Sequence, residues 1–259
     1  MKKTLIAVLL ACAIVPAHAL TEGVDYEKMP VEVEPVQKDK IEVTEFFAYW
    51  CPHCADLEPV ISKHVRTFAS DTVLRKEHII WDEGRDFNFA RLYAAAKQSG
   101  LEHQVTPAVF EAVVRQRINL GQTDTLSKWA NAQTRFDGKK LISAFESFGS
   151  QTQAKQMGEL TAKYGIDGTP TVVVGGKYRV LFKNGYESGM KTIDELEKRK
   201  HNFLERKQKV EELDQKRFEG ARIIDSLNQV VPQGSYLMTL RGTDGKGNKP
   251  GNEYFLEGK

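Results

Sequence analysis

Cysteine is scarce in this chain, with three in 259 residues, at Cys12, Cys51 and Cys54. So few rule out a small fold stapled by several disulfides. They also leave a closed zinc site short of ligands, since Cys51 and Cys54 would need a second Cys or His pair and Cys12 lies in a segment that reads as removed on export. Attachment of c-type haem needs His directly after the second cysteine, and Ala55 stands there. A surplus of one charge is missing too: 37 Lys and Arg face 35 Asp and Glu, a net charge of +2, which implies no preference for nucleic acid. Long apolar runs are absent. The run at residues 5–15 falls far short of the roughly 20 residues a membrane-spanning helix needs, and no later stretch approaches it.

What the chain has is 41% hydrophobic and 28% charged residues, the balance of one globular core plus something extra. It begins with Met1-Lys2-Lys3-Thr4, the apolar run, then Pro16 and Ala17-His18-Ala19, the charged, apolar and small-residue regions of a secretory signal peptide. Cleavage after Ala19 is expected, which places the rest of the chain in the periplasm. Leu9-Leu10-Ala11-Cys12 also resembles a lipoprotein processing site, but stopping there leaves an apolar region at the short limit of about 7 residues. Removal of residues 1–19 leaves two cysteines, both in one motif.

That motif closes Glu45-Phe46-Phe47-Ala48-Tyr49-Trp50-Cys51-Pro52-His53-Cys54, an apolar strand running directly into two thiols spaced i, i+3. With the first thiol just ahead of a helix and the second one turn inside it, the pair can close a small disulfide ring. Cys51 then faces the helix's partly positive end and is the candidate nucleophile, its thiolate favoured by N-terminal N–H groups and by His53. Cys54 is expected to be shielded and able only to attack internally. An inert buried pair is the competing reading, but the aromatic strand, Pro52 between the thiols and the helical run after them argue for chemistry.

Residues 20–40 contain Pro30 and Pro35 and read as an extended lead-in with a short edge strand around residues 31–33. Residues 41–48 form the expected central strand. Alternation puts Ile41, Val43, Glu45 and Phe47 on one face, so a carboxylate stands among apolar neighbours, where it needs work, a partner, or an edge position reaching water. Helical spacing of Leu57, Val60, Ile61, His64, Val65 and Phe68 follows, with Pro59 inside it. Residues 73–81 read as a second strand carrying His78 as an ordinary strand residue; His64 reads as a helix-surface or boundary group. From residue 85 to 164 helical patterns dominate, with breaks at Gly100, Gly121, Gly138 and Gly149. Gly168-Thr169-Pro170 then leads into the β-branched run Thr171-Val172-Val173-Val174, and Gly175-Gly176 turns it into a last strand.

Phe46-Phe47 through Cys51-Pro52-His53-Cys54 resembles the DsbA family of periplasmic thiol:disulfide oxidoreductases, over roughly residues 20–195. Pro52-His53 is the dipeptide characteristic of that family, and Thr169-Pro170 falls where the family has its second motif. The resemblance implies an α/β, thioredoxin-like fold split by a helical insertion. It implies that Pro170 is a cis-proline packed against the cysteine pair, with the Thr169 backbone offered to an extended substrate. It also makes Glu45 a proton acceptor near Cys54, and places Glu58 and Lys76 beneath the site, although solvated surface charges are an equal reading of that last pair. The implied reaction is donation of the Cys51–Cys54 disulfide to reduced secreted proteins, with reoxidation by a DsbB-type membrane quinone reductase and no bound cofactor or metal. An isomerase or reductase of the same fold is the nearest alternative.

The expected organisation is a signal peptide (1–19), a thioredoxin-like domain (20–84 and 165–197), a helical insertion (85–164) and an extension (198–259). The extension opens as a charged helical run with Phe203, Val210, Ile224 and Val231 at multiples of seven, interrupted by Arg206, Arg217 and Gly220; a weak coiled coil and a solvated single helix both fit. Residues 235–240 and 253–256 look like two strands. The run Arg222-Ile223-Ile224-Asp225-Ser226-Leu227 through Pro232-Gln233-Gly234-Ser235-Tyr236-Leu237 resembles the periplasmic part of fimbrial-assembly proteins that align type IV pilus machinery. That likeness implies an alternative role as an interaction protein of pilus assembly.

Overall fold

The computed structural model describes residues 20–230 apart from Lys38, with side chains as far as residue 223. The signal-peptide reading, Cys12, Val231 and the two expected C-terminal strands lie outside the described residues. Five strands form one sheet: β1 (Tyr26–Lys28), β2 (Ile41–Phe47), β3 (Thr72–His78), β4 (Thr171–Val174) and β5 (Tyr178–Val180), in the order β1-β5-β4-β2-β3. β2 pairs in parallel with β3 and antiparallel with β4, and β1 and β4 flank β5 antiparallel. The parallel pair requires a crossover, and α1 (Pro52–His64) supplies it.

Between β3 and β4 the chain makes five helices: α2 (Glu83–Gln98), α3 (Glu102–Phe110), α4 (Thr123–Asn131), α5 (Gly138–Glu146) and α6 (Phe148–Lys163), with a π-type turn, Glu111–Arg115, after α3. Side-chain alternation along the strands divides the core. Val43, Val172 and Val174 pack with Leu57 and Ile61 of α1 and with Ile193 and Leu196 of α7 (Tyr186–Val230). Phe46 and Val173 pack with Leu92, Ala96 and Met157 of the inserted helices. The thioredoxin-like sheet, covered on both faces, is therefore interrupted once by a helical insertion.

Three boundaries differ from expectation. The edge strand is Tyr26–Lys28, not residues 31–33, because Tyr26, Glu27 and Lys28 take up the ladder of β5, while Val33 contributes one bond, from its N–H to the Gly176 carbonyl. β3 ends at His78, beyond which Trp81 N–H turns to the Asp86 carboxylate. Gly149 breaks nothing: the break falls at Ser147, whose hydroxyl caps α6 by accepting from Ser150 N–H. α7 begins at Tyr186, after the positive-φ Gly185, and continues past residue 198 as the charged helical run expected of the extension.

Candidate redox site

β2 ends in a tight turn in which Cys51 N–H donates to the Ala48 carbonyl at 3.0 Å. Cys51 is the N-cap of α1, in extended conformation (φ −84, ψ 117), and Pro52 follows in the first helical position, where a missing N–H removes nothing the helix uses. The cap atom is the Cys51 sulfur, which accepts from Cys54 N–H at 3.4 Å. Both cysteines are free thiols here; Cys51 is 5% exposed and Cys54 fully buried, while Pro52 and His53 are exposed.

The Thr169–Pro170 peptide is cis, and the Thr169 carbonyl accepts from the Cys51 thiol at 3.4 Å, bringing together residues 118 apart in the chain. A groove of about 500 Å³ is lined by His53, Gly168, Thr169, Pro170, Leu181 and Tyr186 among others.

Hydrogen bonding from Cys54 chiefly lowers the Cys51 pKa; burial opposes it, and bonds from Thr169 and the N–H groups of Cys54 and His53 assist, bringing it to about 6. The help from His53 comes through its backbone N–H. Burial pushes the Cys54 thiol far up, and the neighbouring Cys51 adds to it. One sulfur is thus prepared to be an anion and the other is not.

Beneath the pair, Glu45 is 1% exposed and burial raises its pKa to about 6 against the pull of Lys76. Lys76 Nζ lies 3.3 Å from Glu45 Oε2, without the alignment of a hydrogen bond, and makes a close ion pair with Glu58. Burial works against the Lys76 charge, but the two carboxylates outweigh it and hold its pKa above the ordinary value. Partly buried Glu58 and buried Lys76 are therefore one cluster with Glu45, and the solvated-surface reading of them is overturned. Glu45 does not reach water at an edge.

Three further groups brace the turn. His78 is fully buried; its Nε2 accepts from Tyr49 N–H at 3.0 Å and its Nδ1 donates to the Ile79 carbonyl at 2.8 Å. Burial depresses its pKa to about 4, so the ring is neutral and has a lone pair to offer at neutral pH. It supplies the bond that β2 loses on leaving the sheet, more than an ordinary strand residue does. Trp50 Nε1 donates to the buried carboxylate of Asp86 at 2.9 Å, and the Arg85 guanidinium lies 4.2 Å over the indole. Nothing in the spacing of Asp86 or His78 marks them; only proximity of Trp50 to Cys51 was a signal. His64 stands at the boundary expected of it, paired with Asp194 of α7 at 2.8 Å.

A sheet end that delivers an N-capping thiol to a cis-proline loop, with its partner thiol sealed one turn inside the helix, defines a thioredoxin-fold dithiol oxidoreductase. Residues 42–199 match the model of the DSBA-like thioredoxin domain. The thiol:disulfide interchange protein DsbA of Burkholderia cepacia is 34% identical over 213 residues, 76% of this chain and 97% of the relative. That of Bordetella parapertussis is 38% identical over 161 residues, 61% of this chain and 75% of the relative. Among solved structures, the oxidoreductase NmDsbA1 from N. meningitidis superposes with a TM-score of 0.69 at 45% identity, covering 72% of this chain and 96% of that one. The chain belongs to the DsbA family, and it is a protein thiol:disulfide interchange oxidoreductase.

Proposed function

We propose that this chain donates the Cys51–Cys54 disulfide to reduced proteins in the periplasm, with Cys51 as the exchanging sulfur. A substrate thiolate attacks Cys51; the Cys51–Cys54 bond breaks and Cys54 leaves as a thiolate that takes up a proton, with Glu45 as the nearby proton carrier. A second substrate thiolate then attacks the substrate sulfur of the mixed disulfide and displaces Cys51 as a thiolate. The substrate gains a disulfide, and its two electrons remain on the enzyme as the Cys51 and Cys54 thiols. A leaving group of low pKa speeds the second step, and the observation that carries the reading is the convergence of donors on Cys51 beside a sealed Cys54.

The groove beside Thr169 and Pro170 supports binding of substrate in extended form, with main-chain bonding along the Thr169 segment. A DsbB-type quinone reductase is the proposed reoxidant, by family likeness. Among the described residues no helix is long and apolar enough to cross a membrane. For the segment after Arg199, the likeness of residues 222–237 to fimbrial-assembly proteins supports binding to pilus-assembly partners, and capture of those partners by residues 199–259 tests it.

The decisive measurement is the equilibrium of the Cys51–Cys54 couple with glutathione. An oxidant is expected, with a potential well above the roughly −270 mV of thioredoxin. A couple as reducing as thioredoxin overturns disulfide donation in favour of a reductase.

A further inference from the structure

The first residue of α7, Tyr186, donates its hydroxyl hydrogen to the His53 carbonyl at 3.0 Å. That oxygen belongs to the peptide group joining His53 to Cys54, and the N–H of the same peptide group is the donor to the Cys51 sulfur at 3.4 Å. The two bonds therefore lie in series through one amide: Tyr186 hydroxyl to His53 carbonyl, Cys54 N–H to Cys51 sulfur. Hydrogen bonds in such a chain polarise one another, because a donor on the carbonyl draws electron density from the amide and makes its N–H more positive. A carbonyl oxygen has two lone pairs, so His53 can accept Tyr186 while serving its own helix.

We propose that Tyr186 is a positioning residue for the Cys51 thiolate, acting through the His53–Cys54 peptide group, so that the start of α7 tunes the reactivity of the redox pair. The phenol suits this task. Burial, then the charges of Asp56, Cys54 and Cys51, raise its pKa, so it keeps the hydrogen it donates at neutral pH. Its ring lies edge-on to Phe182, with the ring centres 5.5 Å apart. Tyr186 also lines the groove beside Thr169. Neither its position after Gly185 nor the redox motif marks it in the sequence.

The inference rests on Cys51 being the low-pKa nucleophile, and the experiment separates the two. Thiolate absorbance against pH is measured for the reduced full chain, for Tyr186→Phe and for Phe182→Leu. If the hydroxyl contributes the 10–30% strengthening typical of a hydrogen-bonded chain, Tyr186→Phe raises the Cys51 pKa by about 0.3 unit. The equilibrium constant with glutathione then shifts about two-fold toward a weaker oxidant. The amide resonance of Cys54 moves in the direction of a weaker donor, and the thermal midpoint of the oxidised form stays unchanged. Phe182→Leu, which keeps the hydroxyl, leaves the Cys51 pKa where it is. A low Cys51 pKa identical in the parent and Tyr186→Phe overturns the relay alone. A rise in Phe182→Leu equal to that in Tyr186→Phe also overturns it, in favour of ring packing. An ordinary thiol pKa in the parent chain overturns the reading of Cys51 itself, and the relay with it.

Discussion

Cys51 and Cys54 are one helical turn apart, yet the ground above the helix start and the ground below it treat charge in opposite ways. Around Cys51, the groups that favour the anion outweigh burial: the Cys54 thiol, the Thr169 side chain and the N–H groups of Cys54 and His53 lower its pKa. Around Cys54 burial dominates, and the nearest charges beneath belong to a compensated cluster of Glu45, Lys76 and Glu58. A helix N-terminus alone does not make a reactive thiol, since Cys54 sits in the same first turn; donors must converge on the sulfur, and water or substrate must reach it.

The hardest test of that asymmetry is to remove each sulfur in turn. Cys51→Ser is expected to abolish disulfide transfer to a reduced peptide and to form no mixed disulfides. Cys54→Ser is expected to abolish turnover as well, but to accumulate mixed disulfides through Cys51, visible as mass adducts with glutathione or substrate. Equal trapping by both variants breaks the comparison.

The cluster beneath gives the next largest effect. Lys76→Met leaves two carboxylates without their buried cation, and losing one partner of such a group costs about 3 kcal/mol of stability. Urea unfolding at pH 8 measures it. The loss should shrink below about pH 6, where Glu45 takes up a proton even with Lys76 in place. A full loss at low pH means that packing of the lysine stem, not its charge, is responsible.

The thiolate itself gives a smaller effect whose sign depends on pH. The folded pKa of Cys51, about 6, lies below the ordinary 9.0, so its stabilisation of the reduced protein is complete above the unfolded value and is lost as pH falls through 6. Allowing for partial solvent contact, this amounts to roughly 1 kcal/mol at pH 7, rising to at most about 3 kcal/mol near pH 9. The disulfide in the oxidised form closes a very short loop and contributes about 2 kcal/mol by restricting the unfolded chain. The difference between reduced and oxidised stability should therefore climb with pH and change sign between about pH 7 and 8. Glu45 has the opposite linkage, its raised pKa giving stability below 4.5 that is lost as pH rises through 6, but it is present in both redox forms and largely cancels. Unfolding curves of both forms from pH 5 to 9 decide the matter. A flat difference means that Cys51 is no thiolate.

How much of this was legible beforehand follows from what each contact requires. Phe46, Phe47 and the Cys51-to-Cys54 spacing announce themselves because strand, turn and helix are written in consecutive residues. Val172 to Val174 announce β4 by β-branching. β1 is not legible, because Tyr26-Glu27-Lys28 joins the sheet through its backbone, which leaves no side-chain period. Lys76 and Glu58 read equally well as surface charges until the fold places a β3 residue against an α1 residue 18 positions earlier. His78 and Asp86 are polar residues whose worth comes from backbone and indole groups that only the turn after β2 brings to them.

The smallest effect is expected from the longest deletion. Every site residue lies before α7 or at its first turn, and the core contribution of α7 comes from Met190, Ile193 and Leu196. Arg199 still stands over the Tyr26 ring, 5.5 Å from its centre. From Lys200 to Ile223 the helix has a different character: Phe203, Val210, Leu213, Phe218 and Ile223 are all more than half exposed. The ion pairs described there are local, such as Lys216 to Glu212 at 2.6 Å, and contribute about 0.3–0.5 kcal/mol each to their own helix. A chain ending at Arg199 should therefore keep its peptide-oxidation rate and Cys51 pKa, and lose no more than about 0.5 kcal/mol in urea unfolding, the range of surface changes. A folded truncated chain with a shifted Cys51 pKa or a slowed oxidation rate would instead mean that residues after Arg199 act on the redox site.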